Sequence, residues 1–306
     1  MPIPDFQTIM LPLLQHCNDG KEHTMSRTED ALAAHFNLTE IELEEMLSSG
    51  RQSRFSNRIA WAKQYLTKAD LLRSPRRGVF EITELGKKVL SQKPSRIDIN
   101  FLDQFPGFKE FRKSTAKPGE SDASTDAQQV QSPREQLDEA YNSIRKSLQT
   151  DLLERLQSQE FHWRRFETLV VDLLVKMGYG GTHKDAGKVT QPTQDGGVDG
   201  WIKEDKLGLD IIYLQAKKWG PKQTVGRPDI QSFVGALEER QAQKGVFITT
   251  SSFTDTAREY VKRISKKVIL IDGKALAELM IDYNIGVSIE ETYEIRRLDS
   301  DYFEMG

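Results

Sequence analysis

The sequence predicts an α/β protein in two parts, a helical N-terminal domain closed by a basic hairpin and a larger C-terminal domain where helices alternate with strands. Three observations lead there. Apolar residues recur at helical spacing through the N-terminal third of the chain. The run DIIYLQAK, Asp210 to Lys217, alternates with the period of a strand. Between the two lies KSTAKPGESDASTDAQQVQSP, which has almost no apolar side chains and so too little surface to bury against the entropy of ordering it. The expected division is residues 1–92, a flexible linker at 93–132, and a domain at 133–306.

Composition narrows the function. A chain of 306 residues accommodates two domains of roughly 100–200 residues each. Cys17 is the only cysteine, which rules out an internal disulfide framework and any multi-cysteine zinc site. Neither HExxH nor GxxxxGK occurs, and the five histidines do not cluster at ligand spacing. No apolar run reaches the roughly 18–20 residues of a membrane span, and the N-terminus has no basic flank ahead of an apolar core. A soluble, cytoplasmic protein is expected, nucleoid-associated when it binds DNA. The net charge is −3, but its distribution matters more than its sum. Arg51, Arg54, Arg58, Lys63, Lys68, Arg73, Arg76 and Arg77 follow the acidic stretch Glu40, Glu42, Glu44 and Glu45, with only Asp70 among them.

In the first domain, Phe6, Ile9, Met10, Leu13 and Leu14 predict one helix. Thr28 is placed to cap a second, short helix holding Leu32, Ala33 and Phe36. A third is expected over about 57–69, with Ile59, Trp61, Tyr65 and Leu66 inward and Arg58, Lys63 and Lys68 on its polar side. The loop Arg73-Ser74-Pro75-Arg76-Arg77-Gly78 and the strand Val79–Ile82 complete a hairpin. Three helices followed by a basic hairpin is a winged helix-turn-helix plan, with the third helix in the major groove and the hairpin on phosphates. Arg51, Arg54, Arg58, Lys63, Lys68, Arg76 and Arg77 are the expected DNA contacts. A protein-binding winged helix with a solvated basic face would read the same.

The second domain opens with a helix capped by Ser132, with Pro133 at its first position. Its stripe, Leu137, Tyr141, Ile144, Leu148, Leu152 and Leu156, reads as packing. A helix over 163–177 follows, with Phe166, Leu169, Val170, Leu173 and Met177 inward and Glu167 on the shoulder of that stripe. A carboxylate there is either solvated or turned into a polar site. After the turn Gly196-Gly197 comes a strand at Val198–Ile202, then the alternating run. Ile212, Leu214 and Ala216 share one face; Ile211, Tyr213, Gln215 and Lys217 share the other. Two polar residues on one face at the end of an otherwise apolar strand need partners. Asp199 on the neighbouring strand completes an Asp…Gln-x-Lys trio. Asp195 and His183 read as loop residues ahead of it. Further strands at 245–250 and 268–271 and helices at 254–264 and 274–283 follow. The cluster Thr249-Thr250-Ser251 at a strand end either terminates the strand or touches phosphate.

The trio is a variant of the PD-(D/E)xK nuclease signature. The runs DGGVDGWI, YLQAKKW, VGRPDIQSFVGAL, GVFITTSSF and LIDG closely resemble the Mrr family of restriction endonucleases. RIAWAKQYLTKADLL…RRGVFEITELGKKVL resembles that family's winged-helix domain, and the closing IGVS…DSDYFE fits as well. The resemblance spans nearly the whole chain outside the linker. In one departure, the family's glycine-rich lead into DGG is replaced here by Gln191-Pro192-Thr193-Gln194.

The resemblance implies a restriction-endonuclease-like α-β-β-β-α-β core that hydrolyses double-stranded DNA with Mg²⁺ or another divalent cation such as Mn²⁺. A hard cation neutralises charge at the scissile phosphate and acidifies a water. Asp199 is then the anionic ligand, and Gln215 offers a neutral oxygen where relatives in the superfamily place a carboxylate. Glu167 compensates for the lost charge, and Lys217 orients water and stabilises the pentacoordinate phosphate. Gln231, on the helix after the strand, is a further candidate for the site. The implied target is modified (methylated) foreign DNA, a type IV defence role. Cutting both strands calls for a homo-oligomer, a dimer or larger. Two other functions stay open: a repair or junction nuclease that reads DNA structure, and a non-catalytic DNA-binding regulator on a nuclease fold.

Overall fold

The computed structural model describes residues 2–48, 50, 52–115, 131–180, 188–189, 198–205, 209–296, 298–299 and 302. The chain divides into one unit of Met1–Ser143 with Arg297–Gly306 and another of Ile144–Arg296.

The first unit begins with α1 (Phe6–His16), started by Asp5, whose carboxylate accepts from the backbone N–H groups of Gln7 and Thr8 at 2.9 and 3.0 Å. Phe6, Ile9, Met10, Leu13 and Leu14 are fully buried or nearly so, as their spacing predicts. Then come β1 (His23–Thr24), α2 (Met25–Phe36), the single turn α3 (Glu40–Leu43), α4 (Arg54–Lys68), β2 (Leu72–Arg73) and β3 (Val79–Ile82). The three strands form an antiparallel sheet in the order β1-β3-β2. Gly78, with φ of +74°, makes the turn into β3. Thr28 does not cap α2. The strand pairing of His23 and Thr24 with β3 ends at residue 24, so the helix starts a turn earlier and Thr28 is buried within it.

Helix α4 is the fourth helix, not the third. Asn37 in the left-handed conformation ends α2, and the next turn, α3, is the acidic one, carrying Glu40 and Glu42. Ser53 caps α4, whose Phe55, Ile59, Ala62, Tyr65 and Leu66 are buried.

The first part of the expected linker is folded. Helices α5 (Glu84–Ser91), α6 (Ile99–Leu102) and α7 (Pro106–Thr115) continue the unit. Ile97, Ile99, Leu102, Phe105 and Phe108 join its core, and the buried Gln7 side chain accepts from Ile99 N–H at 3.1 Å. These apolar residues precede the polar stretch and supply the buried surface that the stretch itself lacks. Residues 116–130 lie outside those described. The unit closes on the first turns of α8 (Pro133–Gln157), where Ser132 Oγ accepts from Glu135 N–H and Glu135 accepts from Ser132 N–H. The α8 stripe packs only in its second half: Leu156 is buried, whereas Leu137, Tyr141 and Ile144 are exposed.

The second unit runs α9 (Trp163–Lys176), β4 (Lys188–Val189), β5 (Gly200–Lys203), β6 (Ile211–Lys217), β7 (Thr224–Val225), α10 (Arg227–Glu239), β8 (Lys244–Thr249), β9 (Ser252–Phe253), α11 (Asp255–Arg263), β10 (Lys267–Ile271) and α12 (Gly273–Asp282). Its sheet has the order β10-β8-β6-β5-β4, with β6, β8 and β10 parallel and β4 and β5 antiparallel. Within this sheet the expected α-β-β-β-α-β succession runs from α9 through β4, β5 and β6 to α10 and β8, with the short β7, which pairs with β9 instead, between β6 and α10. The two faces of β6 feed two cores. Ile212 and Leu214 pack with Phe166, Val170 and Leu173, while Tyr213 packs with Ile230, Phe233 and Phe247. β6 is central and parallel to β8, so burial on both faces is what its apolar content demands. Among the described residues no helix is long and apolar enough to cross a membrane.

Candidate active site

Strands β5 and β6 part near Asp199, and the polar side chains gather there. Asp199 precedes β5, and its N–H still donates to Leu214 O at 2.8 Å, so the ladder holds the residue beside β6. Its Oδ2 accepts from Gln215 Nε2 at 2.9 Å and from Ala216 N–H at 2.7 Å. Burial pushes the Asp199 carboxyl upward, opposed by the Ala216 N–H, the nearby Lys217 charge and the Gln215 amide, and the net direction is up.

Glu167 reaches the same place from α9. Glu167 and Asp199 border one shallow pocket, with Val170, Val171, Leu214 and Ala216 between them. Burial, and then the Asp199 charge, raise the Glu167 carboxyl to about 6, against a smaller pull from Arg164. Both carboxyls are half-buried and raised, and the charges of Lys217 beside Asp199 and Arg164 beside Glu167 offset this only in part.

The trio meets around Asp199 but not all on one face. Gln215, 8% exposed, and Lys217 leave β6 on the side opposite Leu214 and Ala216. Gln215 bonds Asp199 directly, and Lys217 contributes charge to it. The Lys217 ammonium makes its ion pair with Asp229 on α10, at 2.5 Å. Gln231 is exposed and does not take that position. Two residues along a helix turn about 200°, so with Asp229 facing the strand, Gln231 faces away. Motif reasoning missed Asp229; the signal for it was its place three residues after Gly226, where an acid caps a helix start.

Thr249, Thr250 and Ser251 are buried and bonded to the strand ends. Thr249 Oγ1 donates to Lys217 O at 2.8 Å, and Thr250 Oγ1 donates to Trp219 O at 2.7 Å. They finish β8 and clamp the end of β6, which is the strand-terminating role of the two expected. His183, Asp195 and Gln191 to Gln194 lie outside the described residues.

Among the expected DNA contacts, Arg58 is withdrawn by burial and Arg54 is ion-paired but partly exposed. Arg58 is buried, with Nε 3.0 Å and Nη2 2.9 Å from Glu135 Oε1, and Nη1 donating to Ile3 O at 2.6 Å. Arg54 pairs with Glu45 at 2.6 Å and with Glu135 at 3.2 Å. Lys63 is half-buried over the Phe80 ring at 4.8 Å, and its burial lowers its pKa. Lys68 is exposed beside the Phe111 ring. Arg76 and Arg77 are exposed on the hairpin, with Arg76 held to Glu22 by a surface ion pair. Arg51 lies outside the described residues.

A sheet of this order, with an acid beside its central strand bonded to an amide and near a lysine of that strand, has the plan of restriction-endonuclease-type nucleases. Residues 158–280 match the family model Mrr_cat, described as restriction endonuclease, and residues 6–92 match the Mrr N-terminal domain. Over 313 aligned residues the chain is 34% identical to the type IV methyl-directed restriction enzyme EcoKMrr of Escherichia coli (strain K12), covering 99% of this chain and 100% of that protein. The chain belongs to the Mrr family of restriction endonucleases.

Two solved structures are more distant. The MspJI restriction endonuclease in complex with a 27-mer oligonucleotide is 20% identical, with a TM-score of 0.36 over 68% of this chain and 49% of that one. The DNA modification-dependent restriction endonuclease AspBHI is 15% identical, with a TM-score of 0.36 over 71% of this chain and 57% of that one. With similarity this low, neither bears on the chemistry of the site.

Proposed function

We propose that this restriction endonuclease hydrolyses phosphodiester bonds of methylated double-stranded DNA with a divalent cation, Mg²⁺ or Mn²⁺, at Asp199. The observation that carries the site is the pair of half-buried carboxylates, Glu167 and Asp199, on one pocket with the Gln215 amide bonded to Asp199. The donor set fits a hard divalent ion: two carboxylates, both raised in pKa, and an amide oxygen. Among the described residues no group of three His, Cys, Asp or Glu side chains that could hold a metal ion is found. Asp199, Glu167 and the Gln215 oxygen would hold the ion. When bound, it supplies charge neutralisation at the phosphate and an acidified water.

The chain's own groups do the rest. Ala216 N–H and Gln215 Nε2 both donate to Asp199 Oδ2, which fixes the orientation of the carboxylate. Lys217 puts a cation beside the phosphate where negative charge builds in the transition state. Trp219 covers the ammonium on one side at 4.7 Å.

The N-terminal unit is read as a winged helix, supported by the order α1-β1-α2-α3-α4-β2-β3. Its DNA contacts are assigned to the hairpin, Arg76 and Arg77, with Lys68. An exposed pair such as Arg76–Glu22 contributes little and yields readily to a phosphate. Cleavage of both strands requires two sites, hence a dimer or larger assembly in the cytoplasm. The preference for methylated DNA rests on the likeness to the methyl-directed E. coli enzyme.

The test compares cleavage of methylated, unmethylated and branched plasmid with Mg²⁺. Cutting confined to methylated plasmid is the expected result. Preference for branched DNA would favour a repair nuclease, and no nicking of any substrate would favour a regulator.

A further inference from the structure

The ammonium of Lys217 is held by a residue outside the Asp…Gln-x-Lys trio. Lys217 Nζ lies 2.5 Å from Asp229 Oδ1, in a pair whose side chains are 28% and 25% exposed. The other carboxylate oxygen, Oδ2, accepts from Gly226 N–H at 3.0 Å. A helix cap uses only one oxygen. The second serves the lysine, and the cap prevents the carboxylate from swinging after it. On another side the Trp219 ring stands 4.7 Å from Nζ.

The backbone from which this side chain springs is also fixed. Lys217 O accepts from Thr249 Oγ1 at 2.8 Å and from Thr250 N–H at 3.2 Å. Trp219 N–H donates to Thr250 Oγ1 at 2.9 Å, so the ring that faces the ammonium is tied to the same buried threonine. A lysine stem has four rotatable bonds and many rotamers. Here its root and its tip are both constrained, and its charge stays within reach of Asp199.

We propose that Asp229 is a positioning residue for Lys217, holding the ammonium between the start of α10 and the Trp219 ring so that it meets the scissile phosphate in one orientation. One of the three ammonium N–H groups is spent on Asp229, and two remain for water and phosphate. The inference rests on the reading of Lys217 as the transition-state cation. Asp229 touches neither substrate nor reacting atoms; it acts through the lysine.

The experiment uses the full chain, methylated plasmid and Mg²⁺, with Asp229→Asn, Asp229→Glu and Lys217→Ala beside the parent. Asparagine keeps an oxygen for the Gly226 N–H but loses the charge that holds the lysine. Asp229→Asn is expected to lower kcat by roughly 10–100-fold, the penalty of a cation misplaced by about an ångström. KM and the Kd for DNA measured without divalent ion should stay within about twofold. Asp229→Glu should recover part of kcat, whereas a purely capping role would leave Asp229→Asn near the parent, because its amide oxygen keeps the bond to Gly226 N–H. If Asp229→Asn does not fold, Asp229→Gln decides, since it keeps a helix cap without the charge: kcat lowered at least about tenfold at parental KM supports the proposal, and parental kcat overturns it. Parental cleavage by Asp229→Asn while Lys217→Ala is inactive sinks this inference alone. Parental cleavage by Lys217→Ala removes the role of the lysine, and the role of Asp229 with it.

Discussion

Replacing Arg58 with alanine should unfold the N-terminal unit more than it weakens DNA binding. Glu135, whose side chain is 1% exposed, is paired with an Arg58 side chain 9% exposed. Removing one partner of a buried pair leaves an uncompensated charge and costs about 3–5 kcal/mol. The lower figure applies, because Arg54 Nη1 at 3.2 Å and Ser132 N–H at 2.9 Å still reach Glu135. About 3 kcal/mol is a fall in Tm of roughly 6–12 °C for a unit of this size. The pH dependence is a second signature. Burial pulls the Glu135 carboxyl up, but Arg58 and the Ser132 N–H outweigh it, and the net pKa is lowered. A carboxyl lowered on folding stabilises above its unfolded pKa, and that stabilisation is lost as pH falls through the folded value. Urea unfolding of parent and Arg58→Ala should therefore differ most near neutrality and converge in acid. The result that would refute this is an unchanged midpoint together with a DNA salt slope reduced by about one, the mark of a lost phosphate contact.

Glu167→Gln should stabilise the metal-free protein at pH 7. The carboxyl raised to about 6 favours the fold in its protonated form and opposes it once ionised, so the gain is full above that pH and absent below about 4.5. After discounting for its partial exposure the gain is about 1 kcal/mol, read from urea midpoints, and equal midpoints at pH 7 would contradict it. Phe108→Ala, at a fully buried site, should cost about 3–5 kcal/mol. A fragment ending at Gln92 should be unfolded by circular dichroism, whereas a linker role for residues 93–115 would leave both proteins folded. Arg76→Ala with Arg77→Ala should lower DNA affinity alike on methylated and unmethylated duplexes and reduce the salt slope by about two; no change in slope would move the DNA surface elsewhere.

Much of this was legible where a contact is local or periodic. The alternation of Ile212, Leu214 and Ala216 against Tyr213, Gln215 and Lys217 located a strand with two cores and a polar end. The stripe of α1 located a buried helix. What escaped depended on partners remote in the chain. Arg58 carries no mark of burial until Glu135, 77 residues on, is brought to it. Ile97, Ile99 and Phe108 are too irregularly spaced to signal a helix, and their burial comes from α1 and α4. Asp229 and Gln231 sit on one helix, and only its rotation about its axis decides which of them faces the lysine. The exposed half of the α8 stripe shows the reverse: a regular apolar spacing that this chain leaves uncovered at Leu137, Tyr141 and Ile144.

Divalent-ion binding tests the site most directly, apart from any substrate. Titrating Mn²⁺ into the full chain and following free ion by electron paramagnetic resonance should reveal a site in the parent that Asp199→Ala abolishes and Glu167→Gln weakens. Equal Mn²⁺ binding by parent and Asp199→Ala would mean that the ion sits elsewhere, and that the two raised carboxylates are not its ligands.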